Sequence, residues 1–198
     1  NDIAALYDSD GNDQFVGAAA YSYLVYGGDQ KHFTEALGFG VVNAYSSAGN
    51  DTAAIYDSDG NDTFVGRSTA SYMVYGGNQN HFAQVNGFPV VNGHSTAGND
   101  AAFLYDSTGN DTFVGNGANA LLSGSGFSNQ ASGFGAVTAT SSQGGTDTLS
   151  APSITYSLTI VGNWQFGPSA KATATPSSSK SGDADSFLAV GNARQNTV

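Results

Sequence analysis

The chain has 198 residues, 27 of them glycine, with 12% aromatic and only 11% charged residues, and 16 acidic against 5 basic side chains leave a formal net charge of −11. Cysteine is absent, which excludes disulfides, thiolate metal sites and thiol catalysis. Lys31, Arg67, Lys171, Lys180 and Arg194 make no basic stripe of the kind a phosphate backbone requires, so no nucleic-acid partner is expected. Glu35 is the one glutamate, and Gly, Ser, Thr, Asn and Asp dominate, so long surface helices lack their usual residues and the composition predicts an all-β fold. No apolar run approaches the ~18 residues of a membrane span, and residues 1–20 lack the basic start and apolar centre of a secretory signal, so no membrane insertion is expected.

From the N-terminus, residues 2–17 (DIAALYDSDGNDQFVG) read as a strand, an acidic turn and a second strand. They return at 51–66 (DTAAIYDSDGNDTFVG) and at 100–115 (DAAFLYDSTGNDTFVG), a period of 49 residues from Asp2 to Asp51 to Asp100. The Tyr-rich segment 22–28 matches 71–77, and Gly38-Phe39 with Val41-Val42-Asn43 matches Gly87-Phe88 with Val90-Val91-Asn92. In the third copy Gly133-Phe134 arrives three residues early, and a fourth copy begins at Gly145-Thr146-Asp147. Within the second repeat, β-favouring runs at 53–56, 63–65, 71–75, 81–85 and 89–92 alternate with turn residues.

Five short strands between glycine-rich corners, at fixed period, predict a parallel β-solenoid (a β-helix or β-roll) built from 49-residue repeats. Each coil hides its apolar side only by lying on the next, so identical residues are expected to stack in ladders. Solenoid coils of ~20–30 residues imply two coils per repeat. A β-sandwich, with turns every ~8–12 residues, is the alternative.

The expected organisation is a repeat solenoid over 1–147 (repeats 1–50, 51–99 and 100–146), a C-terminal β cap over 148–167 and a Ser/Thr/Pro-rich linker and tail over 168–198. Asn1-Asp2 falls in the middle of the Gly-Asn-Asp box seen whole at 49–51 and 98–100. That predicts part of a longer array, or an end that another subunit covers.

Twelve of the sixteen acids lie in the boxes. Carboxylate and amide oxygens there, with a glycine that lets backbone carbonyls turn inward, suit a hard cation that takes six to eight oxygens, of which calcium is the natural candidate. The candidate ligands are Asp8, Asp10, Asn12 and Asp13; Asp57, Asp59, Asn61 and Asp62; Asp106, Asn110 and Asp111; and, in the shorter boxes, Asn50, Asp51, Asn99 and Asp100. Gly-Asn-Asp is equally good turn chemistry, because Asp and Asn side chains bond nearby backbone N–H groups.

Asp59-Gly60-Asn61-Asp62-Thr63-Phe64-Val65-Gly66 resembles the G-G-x-G-x-D-x-U-x nonapeptide of the RTX, or haemolysin-type calcium-binding, repeat proteins. The long LYDSxGNDTFxG repeat is similar to those of large surface proteins of bacteria such as planctomycetes. The resemblance covers residues 1–147 and implies calcium at the boxes and an extracellular or cell-surface setting. The pattern departs from RTX in that its boxes are not tandem, and Thr108 stands where the second copy has Asp59.

His32 and His81 recur before Phe33 and Phe82 and drop out in the third copy, as structural residues do, and His94 has no paired nucleophile in its vicinity. Tyr21, Tyr23, Tyr26, Tyr72 and Tyr75, with Trp164, suit either aromatic packing or sugar stacking. The sequence therefore predicts a non-catalytic extracellular structural element, a stalk, spacer or self-associating fibre with a homopolymer as one form. The alternative is an ancillary polysaccharide-binding or adhesion module of a larger secreted enzyme.

Overall fold

Strand alternation and turn chemistry build every element. In Thr52-Ala53-Ala54-Ile55-Tyr56, Ala53 and Ile55 point inward, and the Asp-Ser-Asp-Gly-Asn-Asp box that follows ends the strand. The computed structural model describes residues 2–27 and 31–167, which form eighteen strands and no helix. The first repeat contributes β1 (Ile3–Tyr7), β2 (Gln14–Gly17), β3 (Tyr21–Val25), β4 (Phe33–Leu37) and β5 (Val41–Tyr45). The second contributes β6 (Thr52–Tyr56), β7 (Thr63–Gly66), β8 (Ala70–Val74), β9 (Phe82–Asn86) and β10 (Val90–His94). The third contributes β11 (Ala101–Tyr105), β12 (Thr112–Gly117), β13 (Asn119–Gly124), β14 (Phe127–Ser132) and β15 (Ala136–Ser141). The expected cap forms β16 (Asp147–Ile154), β17 (Ser157–Gly162) and β18 (Trp164–Phe166), whereas the linker and tail lie outside the described residues.

The fold is an all-β solenoid whose coils stack in parallel. Two sheets form its walls, one ordered β1-β5-β9-β8-β7-β11-β15-β17, the other β4-β3-β2-β6-β10-β14-β13-β12-β16-β18. Contacts between repeats are parallel, but each repeat holds one antiparallel meander, β2-β3-β4, β7-β8-β9 or β12-β13-β14.

That meander changes the expected coil count. A repeat visits one sheet, spends three strands in the other and returns, so it makes three passes, or one and a half circuits, instead of two coils. Each repeat consequently starts on the sheet opposite to its predecessor: β1 and β11 lie in one sheet, β6 and β16 in the other. Identical residues of successive repeats therefore do not form the expected ladders. Tyr7 stacks on Tyr45 at 5.0 Å and Tyr56 on His94 at 4.8 Å, while Tyr7 and Tyr56 belong to different sheets. The commonest stacking interval is 38 residues, pairing Ile3 with Val41, Gln14 with Thr52 and Thr52 with Val90.

One continuous apolar core runs from Ala4 to Trp164 between the sheets. Phe15, Phe64 and Phe113, the same position in three repeats, are its largest fully buried side chains, each contributing roughly 1.5–3 kcal/mol. Opposite Phe64, a Cβ on Gly93 would lie 2.7 Å from the ring, so glycine there makes room for the aromatic side chain. Asn129 accepts a hydrogen bond from Ser71 Oγ–H and donates to the Arg67 carbonyl, satisfying a buried polar group across the two sheets.

The shortening of the third repeat falls in one hairpin: Val74 faces Phe82 in the second copy, Ser123 faces Ser128 in the third. The Tyr75 and His81 pair, with ring centres 5.0 Å apart, there becomes Gly124 and Phe127, and a Cβ at 124 would overlap Asp111 Oδ1 and press on the Phe127 ring.

Candidate functional site: the acidic corners

Each long box turns the chain from one sheet to the other, and its last aspartate is buried. Asp13 accepts from Ser9 N–H and Oγ–H and from Gly27 N–H, and Asp62 accepts from Ser58 N–H and Oγ–H and from Gly76 N–H. Asp111 accepts from Ser107 N–H and Oγ–H. A carboxylate taken from water is tolerable only when such donors replace its hydration.

The corner is completed by the shorter box 36 to 38 residues later. Asp13 N–H donates to Asp51 Oδ1 at 2.7 Å, Asp62 N–H to Asp100 Oδ1 at 2.6 Å and Asp111 N–H to Asp147 Oδ1 at 2.9 Å. Ser46, Ser95 and Ser141 hydroxyls donate to the same three carboxylates. Alongside, Asn12, Asn61 and Asn110 Oδ1 accept the N–H of Asn50, Asn99 and Thr146. Gly49, Gly98 and Gly145 pass so close to the carbonyls of Gly11, Gly60 and Gly109 that a Cβ would overlap them, and φ of +118°, +99° and +86° suits glycine alone.

The first aspartate of each long box ties down the next loop. Asp8 holds Ser47 N–H and Oγ–H, Asp57 holds Thr96 N–H and Oγ1–H with Ala97 N–H, and Asp106 holds Ser142 and Gln143 N–H. Asp106 Oδ1 is buried without a hydrogen-bond partner among the described residues. Oxygens of Asp8, Asp13 and Asp51 lie within 4.8 Å of one another, a spacing that three carboxylates sharing one hard cation would have.

Among the ligands expected from sequence, the structure therefore joins long boxes to short ones. Asp13 meets Asp51 and Asp62 meets Asp100, while Asp8, Asp57 and Asp106 reach the loops that lead into the short boxes. Asp111 finds its partner in Asp147. Asp10 and Asp59 stay exposed at the turn tips, and Asn12, Asn50, Asn61, Asn99 and Asn110 are exposed as well. The expected ligands omit Asp147, which completes the third corner, and the box serines Ser9, Ser58 and Ser107. Recurrence of those serines two positions after each tyrosine was the available signal.

The aromatic and histidine candidates divide between core and surface. Tyr75 and Trp164 are buried, and Trp164 Nε1–H donates to the Val161 carbonyl. Burial, then the Asp62 and Asp57 carboxylates, hold the Tyr75 hydroxyl far above the ordinary tyrosine range. His81 Nε2 lies 2.8 Å from the Ala19 carbonyl, and burial lowers the pKa of His94 over Tyr56, against a smaller opposing effect of Asp57.

Tyr21 and Tyr23 stack on each other at 6.3 Å. Two shallow outer grooves share equivalent residues: Tyr23, Val25, Phe33 and Glu35 line one, and Tyr72, Val74, Phe82 and Gln84 the other, on opposite sheets. No family model, curated protein or solved structure matches the chain.

Proposed function

We propose that the chain is a non-catalytic structural element, a stalk, spacer or fibre segment with an extracellular or cell-surface setting. The observation that carries this reading is the use made of the repeated acids: their carboxylates hold the corners that fasten one coil to the next. A continuous core along the stack supports the same reading, since it resists bending and extension at every repeat.

Calcium belongs to this proposal as a stiffener. The residues that would hold it are Asp8, Asp13 and Asp51, whose oxygens have lone pairs beyond those engaged by N–H groups. Thermal unfolding with chelator and with calcium tests it: saturation at ~100 Kd adds roughly 2.7 kcal/mol to stability. An unchanged midpoint removes the ion from the account.

A polysaccharide-binding or adhesion module is the second reading, favoured by the paired aromatic grooves. Retention on a glycan column, lost in Tyr23→Ala and Tyr72→Ala, would support it over the structural one. Electron microscopy of native material tests the structural reading itself, which predicts extended rods or fibres and is contradicted by compact isolated particles.

A further inference from the structure

Among the described residues, two pairs of tyrosines stack on each other: Tyr21 on Tyr23, two residues apart on one strand, and Tyr7 on Tyr45, which join two coils. Tyr7 and Tyr45 lie on β1 and β5, strands that pair in parallel with these two residues opposite each other. Their ring centres are 5.0 Å apart, near the short end of the ~4.5–7 Å range of aromatic pairs, and the planes are inclined by 14°. In-register parallel strands set like atoms beside like, so the ortho carbons of one phenol lie beside those of the other. Leu6 and Ala44 next to them point into the core, which leaves both rings on the outer face of the sheet. That exposure is a property of the face and not of the sheet edge: Tyr45 is exposed although β5 has a strand on each side.

Other easily oxidised groups are absent or buried. The chain has no cysteine, its single methionine, Met73, is fully buried, and so is its single tryptophan, Trp164, to 8% exposure. The equivalent positions of the later repeats do not recreate the pair. Tyr56 stacks on His94, which lacks a second phenol, and Tyr105 stands opposite Thr140. The Arg67 guanidinium also lies 4.1 Å from the centre of the Tyr105 ring, where its positive charge opposes the loss of an electron from that ring.

We infer that Tyr7 and Tyr45 form a site of oxidative coupling, at which a carbon–carbon bond ortho to the two hydroxyls fastens one coil covalently to the next. The co-reactant is hydrogen peroxide, acting through a one-electron oxidant of the peroxidase class. Each phenol gives up one electron and its hydroxyl proton, the two phenoxyl radicals combine at their ortho carbons, and each ortho hydrogen then moves to oxygen to restore the phenol. In sum, two ortho C–H bonds are replaced by one C–C bond, and one peroxide takes up two electrons and two protons to give two waters. Rings already held in contact couple within the chain faster than separate molecules meet. The bond goes beyond the structural reading proposed above, and its chemistry does not depend on that reading. In a chain without disulfides it closes a loop between residues 7 and 45, which restricts the unfolded state.

The test treats the full chain in dilute solution with hydrogen peroxide and a peroxidase, isolates the monomer fraction and digests it with trypsin. Lys31 lies between the two tyrosines, so their coupling links peptide 1–31 to peptide 32–67 with the loss of two hydrogen atoms, whereas coupling of Tyr21 to Tyr23 stays within peptide 1–31. The linked peptide, carrying dityrosine fluorescence, is the expected product. Tyr7→Phe and Tyr45→Phe keep the ring and remove the phenol, and circular dichroism verifies each variant's fold. Each is expected to lower the yield of linked peptide by about ten-fold or more, while Tyr21→Phe leaves it unchanged. A wild type that yields no linked peptide, a yield that persists in Tyr45→Phe, or dityrosine confined to dimers and larger species overturns the inference. Rods seen by electron microscopy without any linked peptide would leave the structural reading standing and the inference refuted.

Discussion

Asp62 buries a charge and recovers its hydration from Ser58 and Gly76 donors, so its removal leaves several polar groups unpaired. Asp62→Ala is expected to cost about 3 kcal/mol in urea unfolding, whereas Asp59→Ala, at an exposed turn tip, stays within about 0.5 kcal/mol. His94 gives an acid-side prediction. Its folded pKa lies below the ordinary 6.5, so its contribution is complete above that pH and is lost as pH falls below it, because the unfolded chain takes up the proton first. His94→Gln should flatten stability against pH in that window. Tyr156 acts on the alkaline side: raised by burial to about 12, it contributes fully below pH 10 and loses that contribution as pH rises through 12. Tyr156→Phe should remove that alkaline decline. The boxes were legible as turns because Asp and Asn beside glycine bond nearby backbone N–H groups, and the proposed use as cation ligands draws on the same oxygens. Which oxygens meet depends on a box 38 residues away, and no local pattern states that interval.

At the scale of elements, the repeat makes one corner informative about the others. Gly98→Ala would press a methyl group onto the Gly60 carbonyl at a φ of +99°, and is expected to destabilise the chain by more than about 1 kcal/mol, read as a lower urea midpoint. Strand positions were readable because period-two burial and glycine-rich corners are local: the expected 53–56 and 63–65 appear as Thr52–Tyr56 and Thr63–Gly66. Sheet assignment was not readable. A short turn and a crossover to the far sheet use similar Gly, Ser and Ala residues, so the meander at Tyr72 and Gln84 looks in sequence like another coil.

For the whole molecule, three passes per repeat decide the architecture. An odd number alternates the sheets from repeat to repeat and places Tyr7 over Tyr45. The absence of native cysteine makes this register directly testable by engineered pairs. Neighbouring parallel strands bring outward-facing residues within the Cα separation of ~4.4–6.8 Å that a disulfide spans. Tyr7→Cys with Tyr45→Cys should therefore form an intramolecular bridge under mild oxidation in the folded monomer. Tyr7→Cys with Tyr56→Cys, one repeat apart and on opposite sheets, should form none; efficient bridging of that second pair, and not of the first, would contradict the alternating stack.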